Sequence, residues 1–239
     1  MKRLFVPTRG VEDWKALLAK PELHWKAGNS ASATAHCWEQ ADGLPPEIQV
    51  ALATVLGPVE LLFAVPEWKT PLPGGRRESQ SDVFAVVRSS RGIVTCTIEG
   101  KVSETFGPTI KEWKAGDDER VQGSDGPARN GEISEGKKKR LQYVCAVLGL
   151  PYPAPDGIRY QLMHRAAAAL IEAERFQAAA AVMLVHSFSQ TSQWRSDFDL
   201  FVRLLGAEPV GSRPVTVQTP SGRPLHLKWV RGEERFLAM

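Results

Sequence analysis

Two runs in the middle of the chain alternate apolar and polar side chains with a period of two. They are Ser81-Asp82-Val83-Phe84-Ala85-Val86-Val87-Arg88 and Gly92-Ile93-Val94-Thr95-Cys96-Thr97-Ile98-Glu99-Gly100-Lys101. Strand residues point to alternate faces, and Ser89-Ser90-Arg91-Gly92 between the runs has turn chemistry, so the pattern predicts a β-hairpin. Folding about Ser90-Arg91 sets Val83 against Ile98, Ala85 against Cys96 and Val87 against Val94, giving one wholly apolar face. The other face sets Asp82 opposite Glu99, with Lys101 two residues further along the same side. Like charges directly opposite each other are destabilising in a sheet. Facing carboxylates beside a lysine therefore point to a cation site, or else to an ordinary solvated hairpin face, which Thr95 and Thr97 would suit.

Around the hairpin the pattern changes to the helical period. Val11 to Leu18 reads as a helix stopped before Pro21, a second runs from Ser30 through Glu39, and Gly43-Leu44-Pro45-Pro46 breaks it. Glu47 to Leu56 is helical, with Pro46 suited to its first turn. Val59 to Val65 is a continuous apolar strand, and Pro71 to Gly75 is a loop. Residues 107–136 carry many glycines and charges with few large apolar side chains, so they read as a flexible insert. Helices are expected over Lys137–Leu148, Arg159–Arg175 and Asp197–Leu205, and a buried strand over Ala179–Val185. Ala166 to Ala169 make the long helix narrow on one side, fit for close packing. Residues 207–239 end in a second hairpin around Ser221-Gly222. This order predicts a single α/β domain, a central mixed β-sheet flanked by helices with an extra C-terminal β-hairpin.

Composition narrows the classes. The 239 residues are 43% hydrophobic and 24% charged, which fits a soluble globular chain. Net charge is +3 and the pI about 8.8, mild values that neither require nor oppose nucleic acid. Cys37, Cys96 and Cys145 stand far apart in apolar contexts with no C-x-x-C pair, as expected in a reducing cytoplasm. The start of the chain has no signal-peptide pattern, and no window is apolar enough to span a bilayer, so a cytoplasmic location without membrane contact is expected.

Asp82, then Glu99-Gly100-Lys101 on the next strand, resembles the active-site motif of the PD-(D/E)XK nuclease superfamily. The resemblance covers about residues 30–190 in order of elements and implies a restriction-endonuclease-like core. It implies a Mg²⁺ (or Mn²⁺) cofactor held by Asp82 and Glu99, Lys101 at the attacking water or the phosphate, and DNA as substrate. The family also adds an acid from an early helix, for which Glu39 is the candidate and Glu47 and Glu60 are rivals. It often places a glutamine or basic residue on the helix after the E-x-K strand. Arg140-Leu141-Gln142-Tyr143 and Tyr160–Arg165 compete for that place, and the second is followed directly by the expected strand. Gln161, His164 and Arg165 there share one helix face.

Lys137-Lys138-Lys139-Arg140 is the densest positive run, set at a helix start where the dipole disfavours cations, so an anion such as a nucleic-acid backbone suits it. Lys137, Lys138 and Arg140 join Gln161 and Arg165 as candidate DNA contacts, and Arg76-Arg77 extends a basic track toward Asp82. Gly131 to Lys138 nearly matches a P-loop, but Lys138 stands where Ser or Thr must hold the ion. The five histidines show no zinc-binding spacing, and His186 reads as a structural residue closing a strand. A catalytically inactive nuclease-like scaffold that binds nucleic acid or a protein partner is the alternative function. A homodimer and a targeting partner both stay open.

Overall fold

In the computed structural model, which describes residues 10–18, 21–116, 133–211 and 213–239, the central hairpin has the register its alternation predicts. Val83 pairs with Ile98, Ala85 with Cys96 and Val87 with Val94, and the strands reverse through Ser90-Arg91. The Ser89 hydroxyl donates to the Gly92 carbonyl (3.1 Å) and accepts from the Arg91 amide (3.1 Å), which fixes the turn.

In chain order, the helices before the sheet are α1 (Val11–Lys15), α2 (Pro21–His24), α3 (Ser30–Ala41) and α4 (Pro46–Leu56). Strands β1 (Glu60–Thr70), β2 (Ser79–Ser89) and β3 (Gly92–Lys101) follow as an antiparallel meander. Three helices, α5 (Ile110–Ala115), α6 (Glu135–Leu148) and α7 (Tyr160–Arg175), lead to β4 (Ala180–Ser187), which lies parallel to β3. Helix α8 (Arg195–Leu204) precedes the last hairpin, β5 (Val215–Gln218) and β6 (Pro224–Arg231), and a 3₁₀ helix covers Glu234–Ala238. The order across the sheet is β1-β2-β3-β4-β6-β5, so the C-terminal hairpin extends the central sheet through a parallel β4–β6 pair.

Each face of this mixed sheet carries its own core. Val83, Ala85, Val87, Val94, Cys96, Ile98, Val182 and Leu184 pack against Trp38, Ile48 and Leu52 of α3 and α4. On the other face Ala181, Met183 and Val185 meet α6 and α7. The four alanines Ala166–Ala169 are fully buried and let α7 lie close to the sheet. Thr95 and Thr97, expected to face water, are covered by α7 and donate to the carbonyls of Ala169 (3.0 Å) and Arg165 (3.2 Å). A buried hydroxyl is tolerated when hydrogen-bonded, and each bond contributes about 1 kcal/mol.

Three boundaries depart from the sequence pattern. Strand β1 continues five residues past Val65, through Pro66. Proline has no amide hydrogen to donate, but β1 is an edge strand and that hydrogen is not needed. Inside the expected insert, Thr109 and Glu112 form a capping box that starts α5, and Glu135 begins α6. Residues 117–132 of that insert lie outside the described residues, and with them Gly131 and Glu132 of the P-loop-like string. Among the described residues no helix is long and apolar enough to cross a membrane.

Candidate active site

Asp82, one residue before Val83 on β2, reaches the E-x-K end of β3 and accepts a hydrogen bond from the Gly100 amide at 2.7 Å. Glu99 on β3 is buried, and both of its oxygens are engaged. Lys101 Nζ donates to Oε1 at 2.9 Å and Gln161 Nε2 donates to the same oxygen at 2.7 Å. Arg165 Nε donates to Oε2 at 2.6 Å. Helix α7 thus supplies both Gln161 and Arg165, one turn apart, to one carboxylate. Lys101 Nζ also stands 5.1 Å from the centre of the Phe106 ring, a cation–π contact.

A third acid joins them. Pro66 pairs with Val83 and Trp68 with Ser81, which sets Glu67 of β1 beside Asp82. Glu67 has left-handed backbone (φ 53°) and drops out of the ladder at that point. Such a conformation costs a non-glycine residue about 1–3 kcal/mol. The Glu67 carboxylate accepts a short hydrogen bond from Gln80. Glu67, Asp82 and Glu99 therefore run in a row across β1, β2 and β3, with Asp82 and Glu67 only partly covered.

Their protonation differs sharply. Burial would raise Glu99, but the charges and hydrogen bonds of Arg165 and Lys101 outweigh it and hold the group below the usual carboxylate range. Burial, followed by the charges of Glu99 and Glu67, pushes Asp82 well above that range. Burial, opposed by Gln80 and Arg165 and reinforced by Glu99, lifts Glu67 to about 7. The electrostatics thus favour the ionised form of Glu99 and the protonated forms of Asp82 and Glu67.

The donor set suits a hard divalent ion. Glu67, Asp82 and Glu99 lie on neighbouring strands, although their oxygens do not all close to within 4.8 Å of one another, and Gln161 Oε1 is buried with no hydrogen-bond partner among the described residues. Two carboxylic acids that exchange their protons for one divalent ion leave the site's net charge unchanged. Glu99 is different, because Lys101, Gln161 and Arg165 already occupy its oxygens.

The remaining expected residues fall in several places. Glu39 of α3 accepts from Trp14 Nε1 at 2.8 Å, on the side of α3 that faces α1. The α3 residues nearest Gly100 are Thr34 and Ser30. Glu60 sits at the far end of β1 against Arg88, and Glu47 lies with Cys37 and His186 on the opposite face of the sheet. His164 Nδ1 meets the Ser79 hydroxyl at 2.8 Å, and that hydroxyl also receives Arg165 Nη1 at 3.2 Å.

The basic run of α6 is partly absorbed by packing. Arg140 is buried and donates to the carbonyls of Pro73 (3.0 Å) and Leu72 (3.3 Å). Lys137 Nζ donates to the Trp113 carbonyl at 2.7 Å. Lys138 pairs loosely with Glu135 at 3.7 Å, and Lys139 is exposed. Gly74 touches the start of α6 so closely that a Cβ there would lie 2.1 Å from the Gly136 carbonyl. This contact sets the loop that carries exposed Arg76 and Arg77 against the start of α6, at the sheet end that carries Glu67 and Asp82.

Two features have no sequence signal strong enough to reveal them. Glu67 is hidden behind Pro66, although a glutamate placed to face Asp82 is the available clue. Cys37, Glu47 and His186 come from three elements with no recognisable spacing.

Comparison with known proteins places the chain in one family. It belongs to DUF6946, described as a domain of unknown function, whose profile matches residues 7–234. No curated protein and no solved structure matches it.

Proposed function

We propose that this member of the DUF6946 family is a Mg²⁺- or Mn²⁺-dependent phosphodiesterase acting on DNA, built on a restriction-endonuclease-like core. The element order of helix, three-stranded meander, helix and parallel strand supports that core. The observation that carries the function is the row Glu67–Asp82–Glu99 along one end of the sheet, in which burial and mutual repulsion raise Asp82 and Glu67. Asp82 and Glu67 would hold the ion, with Glu99 and Gln161 Oε1 as further oxygen donors. When bound, the ion supplies Lewis-acid polarisation of a phosphate oxygen and lowers the pKa of a water. Lys101 would stabilise negative charge on the phosphate, its ammonium steadied by the Phe106 ring. Arg165 keeps Glu99 ionised and oriented. Arg76, Arg77, Lys138 and Lys139 offer a sequence-independent grip on the DNA backbone.

One observation favours a second reading, a catalytically silent scaffold that binds nucleic acid or a protein. Glu99 is only 3% exposed and fully hydrogen-bonded, as a structural carboxylate would be. Nicking of supercoiled plasmid in Mg²⁺, Mn²⁺ or EDTA separates the two. The enzyme reading expects metal-dependent nicking that falls by at least about 100-fold in D82N and in K101M. Nicking that is unchanged in both variants overturns it. Salt-sensitive DNA binding by a wild-type protein that neither nicks nor binds Mn²⁺ in calorimetry establishes the scaffold.

A further inference from the structure

We propose that Cys37, Glu47 and His186 form a second cation site, specific for a zinc-class ion, on the sheet face opposite the acid row. The three residues come from the middle of α3, the first turn of α4 and the end of β4. Their donor atoms all lie within 4.8 Å of one another. Cys37 Sγ is 3.5 Å from Glu47 Oε1, and His186 Nε2 is 2.9 Å from the same oxygen. Ligands of a tetrahedral zinc ion, with bonds of about 2.0–2.3 Å, sit roughly 3.3–3.8 Å apart. The cluster needs only a small outward adjustment at the imidazole to accept an ion.

The chemistry of the set selects the metal. A thiolate, an imidazole and one carboxylate form a mixed soft and borderline set that suits zinc and disfavours Mg²⁺. Two well-separated classes of divalent site would then share one sheet. Across β3 and β4, Glu99 pairs with Val185 on the α7 side, whereas Gly100 pairs with His186 on the α3 side. The sites stand back to back and do not share a ligand.

The site is pre-shaped. His186 is fully buried, and its ring packs on Phe188 with centroids 4.4 Å apart. Gly232 closes over this pair: a Cβ there would lie 2.5 Å from two Phe188 ring carbons and 3.0 Å from His186 Nε2. Packing therefore fixes the imidazole, since Nδ1 has no hydrogen-bond partner among the described residues. A cavity of about 350 Å³ bordered by Cys37, Glu47, Glu233, Arg235 and Phe236 adjoins the cluster. It leaves the fourth coordination position to water, the pattern of an open rather than a closed zinc site. On binding, the ion replaces the thiol proton, which leaves to solvent, the imidazole proton moves from Nε2 to the unpartnered Nδ1, and the two hydrogen bonds to Glu47 Oε1 give way to metal–ligand bonds.

The competing account is a metal-free hydrogen-bonded trio in which Glu47 accepts from the thiol and the imidazole. Titration of the reduced, EDTA-treated full chain with Co²⁺, followed by absorbance, decides between them. The expected result is a thiolate-to-cobalt charge-transfer band in the near ultraviolet that disappears when Zn²⁺ displaces the cobalt. The acid row contains no sulfur and cannot produce that band. C37S should lose the band, and H186Q should weaken Co²⁺ binding by more than about ten-fold. Absence of the band in wild type overturns the proposal without recourse to any variant. So does a band that persists in C37S, because Cys96 and Cys145 lie in apolar clusters elsewhere.

Discussion

Arg165 Nε lies 2.6 Å from Glu99 Oε2, and both side chains are almost fully buried. Burying two charges is costly, and the pair is stable only because every partner is in place. Removing one partner strands the other. R165M is therefore expected to destabilise the fold by about 3–5 kcal/mol in urea unfolding, whereas the triple variant R165M/E99M/K101M, which leaves no buried charge of the group unpaired, should recover most of that loss. A triple variant no more stable than R165M would show that these ion pairs are not the source of the effect.

Glu67 sets a pH dependence. Burial lifts its carboxyl to about 7 from an ordinary 4.5, so the native state keeps this proton longer than the unfolded chain. Stability from this group is complete below about 4.5 and is lost as pH rises through about 7. Buried His164 acts in the opposite sense: burial and Arg165 hold it well below 6.5, so it costs stability as pH falls under 6.5. Subtracting E67Q from wild type isolates the first effect. The urea midpoint of wild type relative to E67Q should fall between pH 4.5 and 7.5, and a flat difference would refute the assignment.

Cation binding inherits the same protonation. Mg²⁺ or Mn²⁺ must displace protons from Asp82 and Glu67, so either ion should raise the melting temperature more at pH 8 than at pH 5. The pH-dependent part should vanish in D82N/E67Q. Equal shifts at both pH values would remove these acids as ligands.

Gly100, the middle residue of the E-x-K string, has no room for a side chain. A Cβ there would lie 2.3 Å from Thr34 Oγ1 and 3.3 Å from Asp82 Oδ2. G100A should cost about 1–3 kcal/mol. The double variant G100A/T34A should regain most of it, since Thr34 Oγ1 has no hydrogen-bond partner among the described residues to lose. A double variant as unstable as G100A would mean that the clash with Thr34 is not what limits this position.

The exposed cations near the sheet end bear on DNA affinity. Replacing Arg76, Arg77, Lys138 and Lys139 by alanine should weaken binding similarly for unrelated sequences. It should also flatten the plot of log affinity against log salt by roughly 0.9 for each phosphate the protein no longer neutralises. Wild-type salt dependence in the quadruple variant would place the DNA path elsewhere.

What the chain discloses before folding depends on local rules. The hairpin is legible because alternation and a Ser-Ser-Arg-Gly turn fix register together, and Asp82 and Glu99 follow from that register. Helix α7 is legible from its period, which also puts Gln161 and Arg165 on one face. Glu67 is obscured because Pro66 ends a strand in any local reading, and only the position of β1 at the sheet edge cancels that rule. Glu39 illustrates the converse. Its helix is plain in the sequence, but a helix face is chosen by its neighbours: Thr34 and Ser30 turn toward Gly100, while Glu39 turns to Trp14. The basic run at α6 is visible as charge, yet nothing local shows that Arg140 is taken up by two loop carbonyls. The Cys37–Glu47–His186 cluster depends on residues up to 149 positions apart, and no spacing rule spans that distance.

The irregular backbone at Pro66 and Glu67 also shapes how the molecule meets its own copies. Strand β1 is an outer rim of the sheet, where a long regular row of amides would invite another chain to dock strand against strand. An imino nitrogen followed by a left-handed residue interrupts that row near its functional end. The departure that sets Glu67 beside Asp82 thus also guards the open rim against runaway pairing of sheets.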